Sequence, residues 1–177
     1  TVAPQKIIDQ YGADILRIWV VSSDYAEDVR ISDEIMRYQA DSYRRLRNTM
    51  RYLLGNLTGF DDDERLPHGE MPELDRWMLH RISEIDAEVR RCCHDFDFHT
   101  MFAALHTFCA MDLSAFYFDI RKDALYCDPA SSVRRRAART VLDNLFNCLT
   151  AWLAPIIPFT AEEAWLNRFP SDSDSVH

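Results

Sequence analysis

SDEIMRYQADSYRRLRNTMRYLLGNL, residues 32–57, decides the fold. Met36, Tyr43, Leu46, Met50, Leu53 and Leu57 recur at three- and four-residue steps, the spacing that lines one face of an α-helix. Ser32 is suited to cap the first turn, and Asp33 and Glu34 sit where the helix dipole favours negative charge. The pattern predicts a helix from Ser32 to about Leu54, stopping near Gly55. Such a helix is too long and too one-sided to stand alone, so it requires other helices against its apolar face.

Those helices are legible downstream. Residues 58–71 read as a polar loop, and Pro72 suits the first position of a second long helix to about His94. Its apolar row is Leu74, Trp77, Met78, Ile82, Ile85, Val89 and Cys92. A third helix is expected over Phe98–Tyr126 with a bend near Asp112, and a fourth over Val133–Leu153, ended by Pro155 and Pro158. Thr160 to Glu163 has the spacing of a capping box, which predicts a last short helix through Phe169. Upstream, QKIIDQY ahead of Gly12 and ADILRIWVV read as two short helices, and DVRIS alternates like a short strand. The expected fold is mainly α: an antiparallel helix bundle preceded by a small α/β segment.

Only 4 glycines in 177 residues, with 47% hydrophobic residues, argue for packed helices over a turn-rich β fold. No run approaches the ~18 unbroken apolar residues of a membrane helix, and the start lacks a secretory pattern. The first residue is not Met, which reads as a fragment or a trimmed product. Five cysteines, an odd number without C-x-x-C, fit a reducing cytoplasm.

The net charge of −9 opposes nucleic-acid binding unless the 20 basic residues are gathered on one face. All but Lys6 and Lys122 are arginines. Arg37, Arg44, Arg47 and Arg51 fall within a stripe about 80° wide on the first long helix. That stripe is either a nucleic-acid footprint or a solvated face paired with acids. Arg134, Arg135, Arg136 and Arg139 oppose the dipole at the start of the fourth helix. They require either an external partner or an acidic neighbour such as the 61–64 loop. In the third helix Asp119, Arg121, Lys122 and Asp123 read first as an internal ion-pair network. Neither Cys92-Cys93-His94 with His99 nor the acidic run 61–64 has the spacing of a metal site. No phosphate loop, nucleophile elbow or H-E-x-x-H motif occurs, so the chain itself is expected to carry no catalytic residue.

Several phrases carry a family resemblance. Ile8-Asp-Gln-Tyr-Gly-Ala-Asp14-Ile-Leu-Arg17 resembles the segment after the KMSKS signature in class I aminoacyl-tRNA synthetases. The phrases Ser22-Ser-Asp-Tyr25 with Arg30-Ile-Ser32, and Tyr117-Phe-Asp-Ile-Arg-Lys-Asp-Ala-Leu-Tyr126, resemble the isoleucine branch. Tyr43-Arg-Arg-Leu-Arg-Asn48 and Ala154-Pro-Ile-Ile-Pro158 through Trp165 extend the likeness over essentially the whole chain.

The resemblance implies a stem-contact segment at 1–31, an anticodon-binding bundle at 32–170 and a linker starting at 171–177. It puts the first and third long helices on the anticodon side, which makes Arg37, Arg44, Arg47, Arg51, Arg121 and Lys122 the candidate tRNA contacts. The HIGH and KMSKS signatures, the editing domain and the C-terminal zinc module of the family are not in this sequence. The chain is therefore expected to begin just past KMSKS and to stop after the bundle. The implied parent enzyme esterifies isoleucine to its tRNA with ATP and Mg²⁺, holds zinc in the C-terminal module, and works as a cytoplasmic monomer away from membranes. The implied partners of this segment are tRNA and the neighbouring domains of the same polypeptide. The rival readings are the same domain of a valine or leucine enzyme, and a helical protein-interaction module without RNA.

Overall fold

A computed structural model describes residues 3–24, 30–170 and 175–177. Two short helices, α1 (Pro4–Tyr11) and α2 (Ala13–Ser22), precede five longer elements. These are α3 (Asp33–Asn56), α4 (Glu73–Asp95), α5 (Phe98–Tyr126), α6 (Val133–Leu153) and α7 (Pro158–Arg168). Among the described residues there is no strand. Of the alternating DVRIS stretch, Asp28 and Val29 lie outside the described residues, and Arg30–Ser32 are irregular chain leading into α3. The N-terminal segment is therefore helical where it is described, not α/β.

Gly12 joins α1 to α2 at φ 93, a backbone conformation that side-chain-bearing residues rarely adopt, and its N–H closes α1 on the carbonyl of Ile8. Ile7 and Ile15 bury against Met36 of α3, with Trp19 and Tyr43 at the edge. Ile18 enters the main core, so the N-terminal pair is packed onto the bundle. The α3 cap is as the sequence indicates: Ser32 Oγ accepts from the Ile35 N–H. The helix continues to Asn56, through Gly55.

The main core lies between α3, α4, α5 and α6, where Leu46, Leu53, Met78, Leu105, Leu113, Leu142, Leu145 and Phe146 have almost no exposure. Phe98–Tyr126 is long and apolar enough to cross a membrane by length and composition. Here its Leu105, Phe108, Leu113 and Tyr117 are buried in that core. Around Asp112, where the sequence suggests a bend, the helix winds as a π-helical stretch, Phe108–Tyr117. Within this stretch and just beyond it, α4 and α5 are joined by two ion pairs of opposite direction. Arg81 of α4 meets Asp112 at 2.8 Å, and Asp75 of α4 meets Arg121 at 2.6 Å.

The 58–71 stretch is polar only in part. It holds two 3₁₀ turns, Asp62–Glu64 and His68–Glu70, and it buries Leu66 and Met71. It is strapped onto α6: the Leu66 N–H donates to Thr140 Oγ1 at 3.0 Å, and Arg65 donates to the buried Asp143 at 2.7 Å. Pro72 stands just before α4, which starts at Glu73.

The capping box expected at Thr160 is not formed. Helix α7 starts earlier, with Pro158 in its first turn and no side-chain cap from its own N-cap residue. Thr160 instead turns to α2. Its N–H and its hydroxyl both donate to Asp14 Oδ2, at 2.9 and 2.6 Å. Asp14, only 7% exposed, thus caps α7 from a distant part of the chain.

Candidate nucleic-acid interface

The arginines expected on one face of α3 are there. Arg37, Arg44 and Arg51 are exposed and Arg47 is half-exposed. They differ in what holds them. Arg44 pairs with Asp41 at 2.8 Å, one turn back on the same helix. Arg47 makes two bonds to Glu163 of α7, at 3.1 and 3.3 Å, and a third to the Tyr43 hydroxyl at 3.1 Å. Arg37 and Arg51 have no carboxylate or hydrogen-bond partner among the described residues. The stripe is therefore partly paired and partly free.

Arg121 does not belong to that surface. It is 6% exposed, and its guanidinium is committed to Asp75, Nε to Oδ1 at 3.0 Å and Nη2 to Oδ2 at 2.6 Å. Tyr117 donates to the same Oδ1 at 2.6 Å. Burial pushes the Asp75 carboxyl upward from its ordinary value, while Tyr117 and Arg121 pull it down. Arg121, expected as a tRNA contact, is instead buried with its Nε and Nη2 committed to Asp75, a placement that ties α4 to α5 and sets it apart from the exposed arginines of α3. Lys122, next along the helix, is exposed and pairs with Asp119 at 2.6 Å.

The arginine stripe does not converge on the 121–122 segment. Tyr52 and Asn56 are the α3 side chains that meet that part of α5. Tyr52 stacks on Phe118 with 4.2 Å between ring centres, and Asn56 reaches the Tyr126 hydroxyl at 3.4 Å. Arg47 and Arg51 line a groove on the other flank of α3, against α7, with Met50, Leu54, Thr160, Glu163 and Asn167. The groove continues past Arg47 and Glu163 to Tyr11, Gly12, Asp14 and Phe159. Spacing identified the α3 wall. The α7 wall was hidden because Thr160 and Glu163 read as a local cap, and only the tertiary contact with Asp14 frees Glu163 to face Arg47.

The arginine run on α6 is bonded within the protein, although Arg135 Nε and Arg139 Nε are buried without a partner. Arg136 donates to the carbonyls of Glu64 and Asp63, Arg139 to that of Thr58, and Arg135 to that of Asp128. The 58–64 segment, with Asp128, is the neighbour that makes cations tolerable at a helix start. Among the described residues no group of His, Cys, Asp or Glu side chains could hold a metal ion.

Residues 75–177 match a family model described as the anticodon-binding domain of tRNA ligase. The isoleucine–tRNA ligase of Ruegeria pomeroyi is 56% identical over 178 residues, covering 100% of this chain. That of Mesorhizobium japonicum is 55% identical over 177 residues. The chain spans 18% of the length of these curated relatives. Among solved structures, the chain resembles the LeuRS of an Agrobacterium radiobacter K84 ternary complex with tRNA and LeuAMS at TM-score 0.71 and 16% identity, covering 99% of this chain and 20% of that one. A free-state methionyl-tRNA synthetase of Mycobacterium tuberculosis gives TM-score 0.71 at 18% identity, covering 99% of this chain and 38% of that one.

Proposed function

The chain belongs to the anticodon-binding domain family of tRNA ligases, and from that premise we propose that it receives the anticodon stem and loop of isoleucine tRNA within an isoleucine–tRNA ligase. The observation that carries this reading is identity of 55–56% to isoleucine–tRNA ligases along the whole chain. The leucyl and methionyl structures share the fold at only 16–18% identity.

The role of this part is positioning. Phosphate contacts set the register of the tRNA, and contacts to splayed, single-stranded bases add discrimination. Arg37, Arg44, Arg47, Arg51 and Lys122 are among the accessible cations on α3 and α5. The parent enzyme attaches isoleucine to tRNA using ATP and Mg²⁺ and carries zinc in its C-terminal module. It works in the cytoplasm as a monomer, and the chemistry resides in domains other than this one.

The test uses the natural-length protein. Replacing Arg44 and Arg47 together by Ala weakens tRNA binding and flattens its salt dependence, while ATP–pyrophosphate exchange without tRNA is unchanged. Normal tRNA binding across a salt series would overturn the reading of the stripe as an RNA surface.

A further inference from the structure

We infer that the groove between α3 and α7 is the track for the RNA backbone, and that the Arg47–Glu163 pair is a gate that a phosphate opens. The inference rests on the tRNA-binding reading above and adds a path and a competitor to it.

Three observations point to this groove. Its α3 wall carries two cations one turn apart: at 1.5 Å per residue, Arg47 and Arg51 are separated by about 6 Å of helix. Arg51 stands there without a carboxylate or hydrogen-bond partner among the described residues, and Thr160, Glu163 and Asn167 place polar groups along the groove beside Met50 and Leu54. The two carboxylates lining it are not equivalent. Asp14 is buried and gives Oδ2 to Thr160 while its Oδ1 is buried without a partner, whereas Glu163 is exposed and engages Arg47 alone among the cations.

The gate follows from geometry. Arg47 grips Glu163 through two guanidinium nitrogens, the same fork that an arginine offers to a phosphate. Both partners are open to solvent, at 42% and 54% side-chain exposure. An exposed pair of this kind is weak, equivalent to no more than about fivefold in an equilibrium constant. A phosphate entering the groove beside Arg51 meets that unpaired cation and displaces the carboxylate from Arg47. The Tyr43 hydroxyl, held by Thr160 at 2.9 Å, keeps the guanidinium in place during the exchange. In the absence of RNA, Glu163 prevents this cationic row from attracting other anions.

The experiment is a mutant cycle in the natural-length protein, with binding of isoleucine tRNA measured across a salt series. Glu163→Gln tightens binding about two- to fivefold, and Arg51→Ala weakens it and lowers the salt slope by about 0.7. In an Arg47→Ala background the gain from Glu163→Gln disappears, because the carboxylate acts through Arg47. Arg90→Ala, on α4 and paired with Asp86, leaves binding unchanged. If wild type binds but Glu163→Gln and Arg51→Ala leave affinity and salt slope unaltered, the groove is not the track. If the Glu163→Gln gain persists without Arg47, the gate is wrong and the effect is general repulsion. If the wild-type protein does not bind tRNA, the proposed function itself fails.

Discussion

Arg121 and Asp75 face each other inside the bundle as a two-pronged ion pair, with the Tyr117 hydroxyl on the same carboxylate. The pair is buried, at 8% and 0% side-chain exposure. The phrase that marks the family most clearly, Tyr117 to Tyr126, thus contains a structural crosslink between α4 and α5. Family likeness of a residue and contact with the ligand are here separate matters.

Arg121→Ala leaves the Asp75 carboxylate buried without its counter-charge, which costs about 3–5 kcal/mol. Lys122→Ala removes an exposed, solvent-screened pair with Asp119 and should barely move the midpoint. Urea denaturation of the two variants should separate them clearly, and equal midpoints would contradict the burial of Arg121.

Of Trp77, which the sequence puts in the apolar row of α4, and Trp152 on α6, only Trp152 is in the core. It is 7% exposed and its indole N–H donates to Asp86 at 3.0 Å. Trp77 is 36% exposed and rests edge-on against Phe116. Trp152→Ala should lower stability by about 3–5 kcal/mol and Trp77→Ala by roughly 1 kcal/mol, read as shifts in the thermal or urea midpoint.

Asp14→Ala removes the distant cap of α7 and leaves the Thr160 N–H and hydroxyl without their acceptor, a loss of about 1–3 kcal/mol. Thr160→Val removes one of the two bonds. The double variant should be less destabilised than the two single effects added together. Strict additivity would mean that the two residues act independently.

His106 provides a pH test. Burial, then the nearby Arg45, lowers its pKa from the ordinary value, and its ring Nε2 is buried without a hydrogen-bond partner. The unfolded chain therefore binds the proton more readily than the native protein. Stability is retained above the usual histidine range near ~6.5 and declines as pH falls through the lowered native value. Replacing His106 by Phe should remove this component, seen as a flatter melting temperature between mildly acidic and neutral pH. An unchanged profile would assign the acid sensitivity elsewhere.

The helices were legible because each carries a sustained 3.6-residue apolar row. Val133–Leu153 starts and ends where its sequence indicates. The π-helical register of Phe108–Tyr117 was visible only as a bend near Asp112, since periodicity reports which side is apolar and not how tightly the backbone winds. The arginine stripe could be placed on one face from spacing alone. The burial of Arg121 could not, because it depends on Asp75, 46 residues away. The Thr160–Glu163 box misled for the same reason: a local hydrogen bond was available, and a tertiary one replaced it.

The Asp14–Thr160 clasp also has a timing. The two residues are 146 positions apart, so a ribosome working at 5–20 residues per second needs roughly 7–30 s to deliver the second after the first. Through that interval α2 can already lie against α3, the next long helix to emerge, while its acid waits unclaimed. The last short helix then arrives and acquires its first-turn acceptor from a surface assembled well before it. The closing step of this fold is in that sense templated by its opening one.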